Sequence, residues 1–413
     1  MDGKKRNIQY KINTLLSQFP IVVILGTRQC GKSTIAKIVG PDWKYFDLEN
    51  YQDYDRIHED PILFFKENSS NVIIDEAQKS PKLFETLRGI VDKDRQKKGR
   101  FILTGSASFE LIKNVSESLA GRVATLELSP FKVNEFEESP LSNFFQIFNK
   151  KIDLADLTSL KTLPIRFNHN VLKHYFLKGG YPEPVLSRNN EFHANWMQNY
   201  FEQYINRDIR SLFPGLDIVK YRRVLAMLSS VSGTIINKAE IARSVEISEK
   251  TVSEYIDIIA GTYFWRNLLP FQTTKIKTTQ KLPKGHFVDS GLALFLQNIF
   301  TMDQLDKMPA IGRYFETFIV EEVIRGVQAT KAVNVQFYHL RTKAGGEIDL
   351  VLEGSFGLLP IEIKYGSSTS KSKLKFLQSF IDLHNLPFGI VINNSDRIEL
   401  ISENIIQIPA GAL

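Results

Sequence analysis

The stretch IVVILGTRQCGKST, Ile21 to Thr34, constrains this chain more than any other. An unbroken β-branched apolar run, Ile21 to Leu25, stops at Gly26, and Gly31-Lys32-Ser33-Thr34 opens helix-compatible sequence. The pattern is strand, G-x-x-x-x-G-K-[ST], helix. Its glycines let backbone N–H groups close around a phosphate without Cβ interference, and the helix N-terminus adds partial positive charge. The phosphate cradle therefore comprises Gly26, Thr27, Arg28, Gln29, Cys30, Gly31, Lys32, Ser33 and Thr34. In it Lys32 is expected to reach the β- and γ-phosphates of a nucleotide and Ser33 to hold Mg²⁺. Read blandly, the same residues are a strand-to-helix turn with an incidental lysine.

A second strand supports the first reading. Asn71 to Gln78 reads NVIIDEAQ, an apolar strand that delivers Asp75 and Glu76 at its carboxyl end, where ligands bind in open parallel sheets. This is a Walker B pattern. Asp75 is expected to hold the Mg²⁺ water shell, and Glu76 to polarise the attacking water as general base. The next strand, Arg100 to Leu103, ends in Thr104-Gly105-Ser106, and Thr104 or Ser106 suits a γ-phosphate sensor. An ST-turn explains either one equally well. The guanine discriminator N-K-x-D is missing, since Asn149-Lys150-Lys151-Ile152 lacks the aspartate, so ATP is the expected nucleotide. Cys30 is the sole cysteine, which excludes an intramolecular disulfide and a cysteine metal site, and no redox role is assigned to it.

Periodicity supplies the surrounding elements: helices over Ile8–Phe19 and Phe109–Leu119, strands over Trp43–Leu48 and Val123–Leu128, and a helix starting at Pro61. The order of cradle, DEAQ, LTGS and Arg122 before the fifth strand resembles the AAA+ branch of the P-loop ATPases. That resemblance implies a helical lid after the first domain and casts Arg122 as a finger reaching a neighbouring subunit's γ-phosphate, hence a homo-oligomer. The local alternative is a cation complementing a helix C-terminus. Arg207 has two readings as well, a second nucleotide sensor or an ordinary ion pair with Glu202 or Asp208.

The remaining chain carries two further patterns. Val219 to Phe271 reads as a winged helix: Asn237 caps a helix with Ile241, Ala242 and Val245 inward, and Ser248 caps a second with Val252, Tyr255, Ile256 and Ile259 inward. The second helix turns Glu249, Lys250, Glu254 and Asp257 outward, a poor reader of phosphate backbone. Lys275, Lys277, Lys281 and Lys284 follow, better read as a solvated hairpin than as a nucleic-acid wing. Farther on, Glu347-Ile348-Asp349-Leu350 and Leu359 to Lys364 read as adjacent strands, after a helix that carries Glu316. Asp349 and Glu362 are oxygen ligands in kind for Mg²⁺, Lys364 can orient water, and Glu316 is an outer ligand. The order D, then E-x-K, resembles the PD-(D/E)XK nuclease-like fold, without the proline before the aspartate. A surface ion-pair ladder accounts for the same residues.

Nearly the whole chain thus resembles prokaryotic AAA+ ATP-binding proteins whose P-loop domain and winged helix precede a nuclease-like domain. The expected fold class is α/β and multi-domain: a parallel-sheet P-loop (ASCE/AAA+) domain at 1–140, helical lid and connection at 141–214, winged helix at 215–285, and a restriction-endonuclease-like α/β domain at 286–413. Three functions stand open: an ATPase that switches or remodels a protein partner, an ATP-gated metal-dependent nuclease acting on DNA or RNA, and an interaction protein that binds ATP without turnover. A net charge of +6 permits a nucleic-acid partner without requiring one. The longest apolar runs are strand-sized, so no membrane span and a cytoplasmic location are expected.

Overall fold

Alternate residues of the first strand, Ile21–Gly26 (β1), are buried on opposite faces of a sheet: Ile21, Val23 and Leu25 enter one apolar cluster and Val22 and Ile24 another. A strand covered on both faces needs a parallel sheet wrapped by helices, and the computed structural model has one. It describes residues 3–106, 118–187, 189–272, 282–342 and 345–413. The chain divides into two compact units, residues 1–131 with 261–263 and residues 132–260 with 264–413.

In the first unit, β1 joins Lys44–Asp47 (β2), Val72–Asp75 (β3), Phe101–Ser106 (β4) and Val123–Glu127 (β5) in the order β2-β3-β4-β1-β5, all parallel. One strand, β4, therefore stands between the cradle strand and the DEAQ strand, where a γ-phosphate sensor was expected. Parallel alignment also brings Gly26, Asp47, Asp75 and Ser106 to the same end of the sheet. Helix Gln9–Gln18 ends before Pro20, and helix Pro61–Glu67 begins with proline at its first turn. The helix expected at Phe109–Leu119 lies largely outside the described residues.

The second unit corrects the expected division of the chain. Its sheet runs β13-β14-β12-β11-β10-β9-β7-β8-β6, built from Thr234–Ile235 (β6), Trp265–Pro270 (β7), Lys284–Phe287 (β8), Gln336–Arg341 (β9), Glu347–Gly354 (β10), Gly357–Ile363 (β11), Gly389–Asn393 (β12), Glu399–Ser402 (β13) and Ile405–Pro409 (β14). The boundary expected between 285 and 286 falls inside β8. There β7 pairs with β8 on one side and, in parallel, with β9 on the other. The strands read as a winged-helix hairpin and those read as a separate nuclease-like domain are one sheet, because β7 uses both of its hydrogen-bonding edges. The helices expected as a lid, among them His169–Lys178 and Asn190–Gln203, belong to this second unit.

Helix Ile311–Gln328 is buried almost all round and carries three buried glutamates. Each meets a cation from elsewhere in the unit: Glu316 with Lys284, Glu321 with Arg266 and Glu322 with Lys132. The expected caps form, with the Asn237 side chain accepting from the Glu240 amide and the Ser248 hydroxyl from the Thr251 amide.

Candidate nucleotide-binding site

Backbone hand shapes the cradle. Gly26 has φ +152°, Gln29 +59° and Gly31 +100°, and such turns gather backbone N–H groups into an anion-binding concavity. A Cβ on Gly26 would lie 2.1 Å from the Leu128 carbonyl oxygen, so only glycine fits. Gly31 leads into helix Lys32–Val39. Arg6, absent from the sequence reading, fastens the loop: its guanidinium donates to the carbonyls of Cys30 at 3.0 Å and Ser129 at 2.6 Å. Cys30 is buried with Sγ 3.2 Å from the Leu128 carbonyl, a packing position.

Lys32 is only 5% exposed, and its ammonium donates to the carbonyls of Gly26 at 3.1 Å and Thr27 at 2.8 Å. The Thr27 hydroxyl oxygen is buried and makes no hydrogen bond. An orphaned hydroxyl costs about 1–3 kcal/mol, and a phosphate oxygen is a ligand that would satisfy it. Arg28 points instead toward Glu49, at 3.9 Å.

On the neighbouring strands the acidic residues are held by hydroxyls. Asp75 accepts from Tyr45 Oη at 2.6 Å through one oxygen and from the Thr104 hydroxyl through the other. Ser33 stands near the same phenol and slightly offsets the rise of its pKa. Burial, reinforced by Asp75, pushes the Tyr45 phenol pKa far up and keeps it a donor. Asp47 lies opposite Asp75 in the strand register, and burial raises its pKa, with the charges of Asp75 and Glu76 adding. The sequence reading missed Tyr45 and Asp47. The signal was present in KYFD, whose alternate residues share a face, one strand over from Asp75.

Glu76 leaves the sheet with φ +52°, a left-handed conformation that costs a non-glycine residue about 1–2 kcal/mol. Its carboxylate accepts from the Ser106 hydroxyl at 2.8 Å, the Ser106 amide at 3.4 Å and the Gln78 side chain. Thr104 and Ser106 therefore divide the work, one bound to Asp75 and buried, the other bound to Glu76 and partly open. Arg122 stands apart. It precedes Val123 at the opposite end of β5 from the cradle, some five residues or about 17 Å of strand away. It forms a two-pronged pair with Asp92, at 2.8 Å for each prong.

Hydroxyls and carboxylates form a hard oxygen donor set that fits Mg²⁺, an ion that takes only one or two protein ligands alongside phosphates and water. Among the described residues no group of three or more His, Cys, Asp or Glu is arranged to hold a metal ion alone.

In the second unit the four residues expected from the D…E-x-K pattern come together. The Lys364 ammonium lies 2.5 Å from Glu362 and 3.5 Å from Asp349, and Asp349 also accepts from the Ile363 amide at 2.9 Å. Glu316 is joined to them through a residue that the sequence reading placed on a solvated hairpin. Lys284 is 2% exposed, with Nζ 2.5 Å from Glu316, 3.0 Å from Glu347 and 3.1 Å from Asp349. Burial pushes the Glu362 carboxyl up to about 8, with Asp349 adding to the effect. Lys275, Lys277 and Lys281 lie outside the described residues. On helix Glu249–Gly261 the outward Lys250 and Glu254 are exposed and 4.0 Å apart. Glu202 pairs with Arg222.

Two buried imidazoles beside Lys284 give the second unit a pH dependence. Burial pulls His339 down to about 4 and His286 well below its ordinary 6.5, and the Lys284 charge lowers both further. Both are neutral in the fold, so their contribution is complete above about pH 6.5 and is lost as pH falls toward 4. At about 1.4 kcal/mol per pH unit of displacement, His339 alone accounts for about 3 kcal/mol. Thermal melts from pH 7 to 4 should fall steeply, and His339→Gln should flatten the curve; identical curves would remove this assignment.

Comparison with known proteins agrees with the first unit. Residues 18–137 match the AAA domain family model, 169–303 match "Domain of unknown function (DUF8612)" and 311–413 match "Domain of unknown function (DUF4143)". Uncharacterized protein Mb2031c of Mycobacterium bovis and uncharacterized protein Rv2008c of Mycobacterium tuberculosis are each 30% identical over 413 residues, spanning 99% of this chain and 84% of theirs. Uncharacterized protein MJ1544 of Methanocaldococcus jannaschii is 24% identical over 290 residues, 66% of this chain and 62% of its own. Among solved structures, the Walker-type ATPase PABY2304 of Pyrococcus abyssi is 15% identical and aligns over 70% of this chain and 94% of its own with a TM-score of 0.41. Among the described residues no helix is long and apolar enough to cross a membrane.

Proposed function

The chain belongs to the family of Mb2031c and Rv2008c and carries an AAA-type ATP-binding domain, and from that premise we propose that it hydrolyses Mg²⁺-ATP to switch or remodel a protein partner held by its second unit. Support for the reading comes from the strand register, which sets the Lys32–Ser33 turn after β1 and Asp75–Glu76 at the end of β3 toward the same edge of the sheet, and from a buried Thr27 hydroxyl that makes no hydrogen bond next to the Lys32 ammonium. Ser33 and Asp75 would hold the magnesium ion, which when bound neutralises phosphate charge. Lys32 exchanges the Gly26 and Thr27 carbonyls for phosphate oxygens. Glu76, fixed by Ser106 and Gln78, orients the attacking water and takes up its proton. Thr104 and Tyr45 hold Asp75 in place.

Because Arg122 lies at the far end of β5 from its own cradle, a role at phosphate requires a second copy of the chain, and Arg122 then exchanges Asp92 for that neighbour's nucleotide. Outward Glu249, Glu254 and Asp257 against Lys250 favour a protein partner over nucleic acid on that helix. Titration with fluorescent ATP tests the premise. Wild type should saturate, and Lys32→Ala should bind about 3 kcal/mol more weakly, roughly a hundredfold, for its lost charge-assisted bonds. Equal affinities, or no saturation in wild type, would overturn the reading.

A further inference from the structure

The nuclease-like resemblance of the second unit leads one to expect a divalent cation among Asp349, Glu362 and Glu316, and the residues present do not fit one. The Lys284 ammonium stands among those carboxylates, within 3.1 Å of Glu316, Glu347 and Asp349. Both oxygens of Asp349 are engaged, one by Lys284 and the other by the Ile363 amide and Lys364. Four carboxylates thus face two ammonium groups from the same chain.

Lys284 is held there by the sheet. It pairs with Ile235 of β6 on one side and Leu268 of β7 on the other, so its backbone is fixed from both edges. The next residue, Gly285, lies under the Trp265 indole so closely that a Cβ would come within 1.9 Å of the ring. A tethered ammonium pays no translational entropy to bind, whereas a free cation must shed water and drive a buried lysine out of its ion pairs. Buried polar atoms without a hydrogen-bond partner nearby include Glu362 Oε2, His339 Nδ1 and His286 Nε2, the last 3.9 Å from Glu316. The cluster is therefore a charge network whose cations come from the chain itself.

We propose that Lys284 is the resident cation of this cluster, occupying the place where a nuclease of the resembled fold takes a divalent ion. The second unit then takes no Mg²⁺ or Mn²⁺ there and does not cut phosphodiesters. This inference is independent of the ATPase reading, since the cradle lies in the other unit.

The test is a Mn²⁺ titration followed by electron paramagnetic resonance on the full chain without nucleotide, in an Asp75→Asn background that silences the candidate cation ligand of the first unit. With Lys284 intact, no saturable Mn²⁺ binding is expected up to millimolar ion. Adding Lys284→Met should create one Mn²⁺ site per chain, lost again with Glu362→Gln. Saturable binding with Lys284 intact that Glu362→Gln removes would overturn the proposal. So would a folded Lys284→Met protein that binds none. If Lys284→Met does not fold, Lys284→Gln takes its place, and the arm that leaves Lys284 unchanged decides by itself.

Discussion

Glu76→Gln should leave ATP binding intact and slow steady-state phosphate release by about 10²–10⁴-fold, the span that a positioned general base contributes. The substitution keeps size and hydrogen-bonding capacity, so the Ser106 hydroxyl, 2.8 Å away, still finds an acceptor in the amide oxygen. What is lost is the negative charge that draws a proton from water. The left-handed backbone at Glu76 is local strain held at the end of a buried strand, a feature that concentrates where function demands an unusual geometry. Equal turnover in wild type and variant would remove Glu76 from catalysis, and parallel loss of ATP binding would make it a structural residue. Mixing wild-type with Arg122→Ala subunits extends the test. A finger acting between chains makes activity fall faster than the wild-type fraction, while a linear fall excludes it.

Lys132→Met should destabilise the second unit by about 3–5 kcal/mol, the cost of leaving one member of a buried ion pair without its partner. Lys132 is 1% exposed, and its ammonium sits 3.3 Å from Glu322 and 5.0 Å from the centre of the Phe145 ring. Glu322 is buried as well and keeps the Val133 amide at 3.2 Å and Arg325 at 3.6 Å. Removing the charge at both ends should do less harm than removing it at one. Lys132→Met with Glu322→Leu should recover at least half of the loss, since Arg325 retains the Val288 carbonyl and the Tyr175 hydroxyl. Urea unfolding of the single and double variants measures this. A double variant less stable than the single one would show that Glu322 stabilises the unit through the Val133 amide and Arg325 independently of Lys132, and would overturn this account.

Signals carried within a few residues were legible. The cradle announced itself because a strand must end, a loop must turn left-handed and a helix must begin within one short stretch, and glycine and β-branched residues mark those events locally. Asp75 and Glu76 were legible for the same reason, as polar residues at the end of an apolar strand. In the second unit, period-two alternation found β10 and β11 with Asp349 and Glu362 on them and Lys364 just past the end of β11. It could not find β8, a four-residue strand with the sequence KGHF, nor could it separate that strand from the lysine-rich run before it.

By itself the sequence determined the phosphate cradle, the acidic strand end beside it and the acidic strands of the second unit, because backbone conformation and alternate burial are set by neighbouring residues. Only the tertiary structure decided what each charge is for. Arg6, Lys132 and Lys284 all look like surface side chains when read in their own stretch. Each is drawn inward by oxygen acceptors that arrive from distant segments, and a buried charge is tolerable only where such partners meet it.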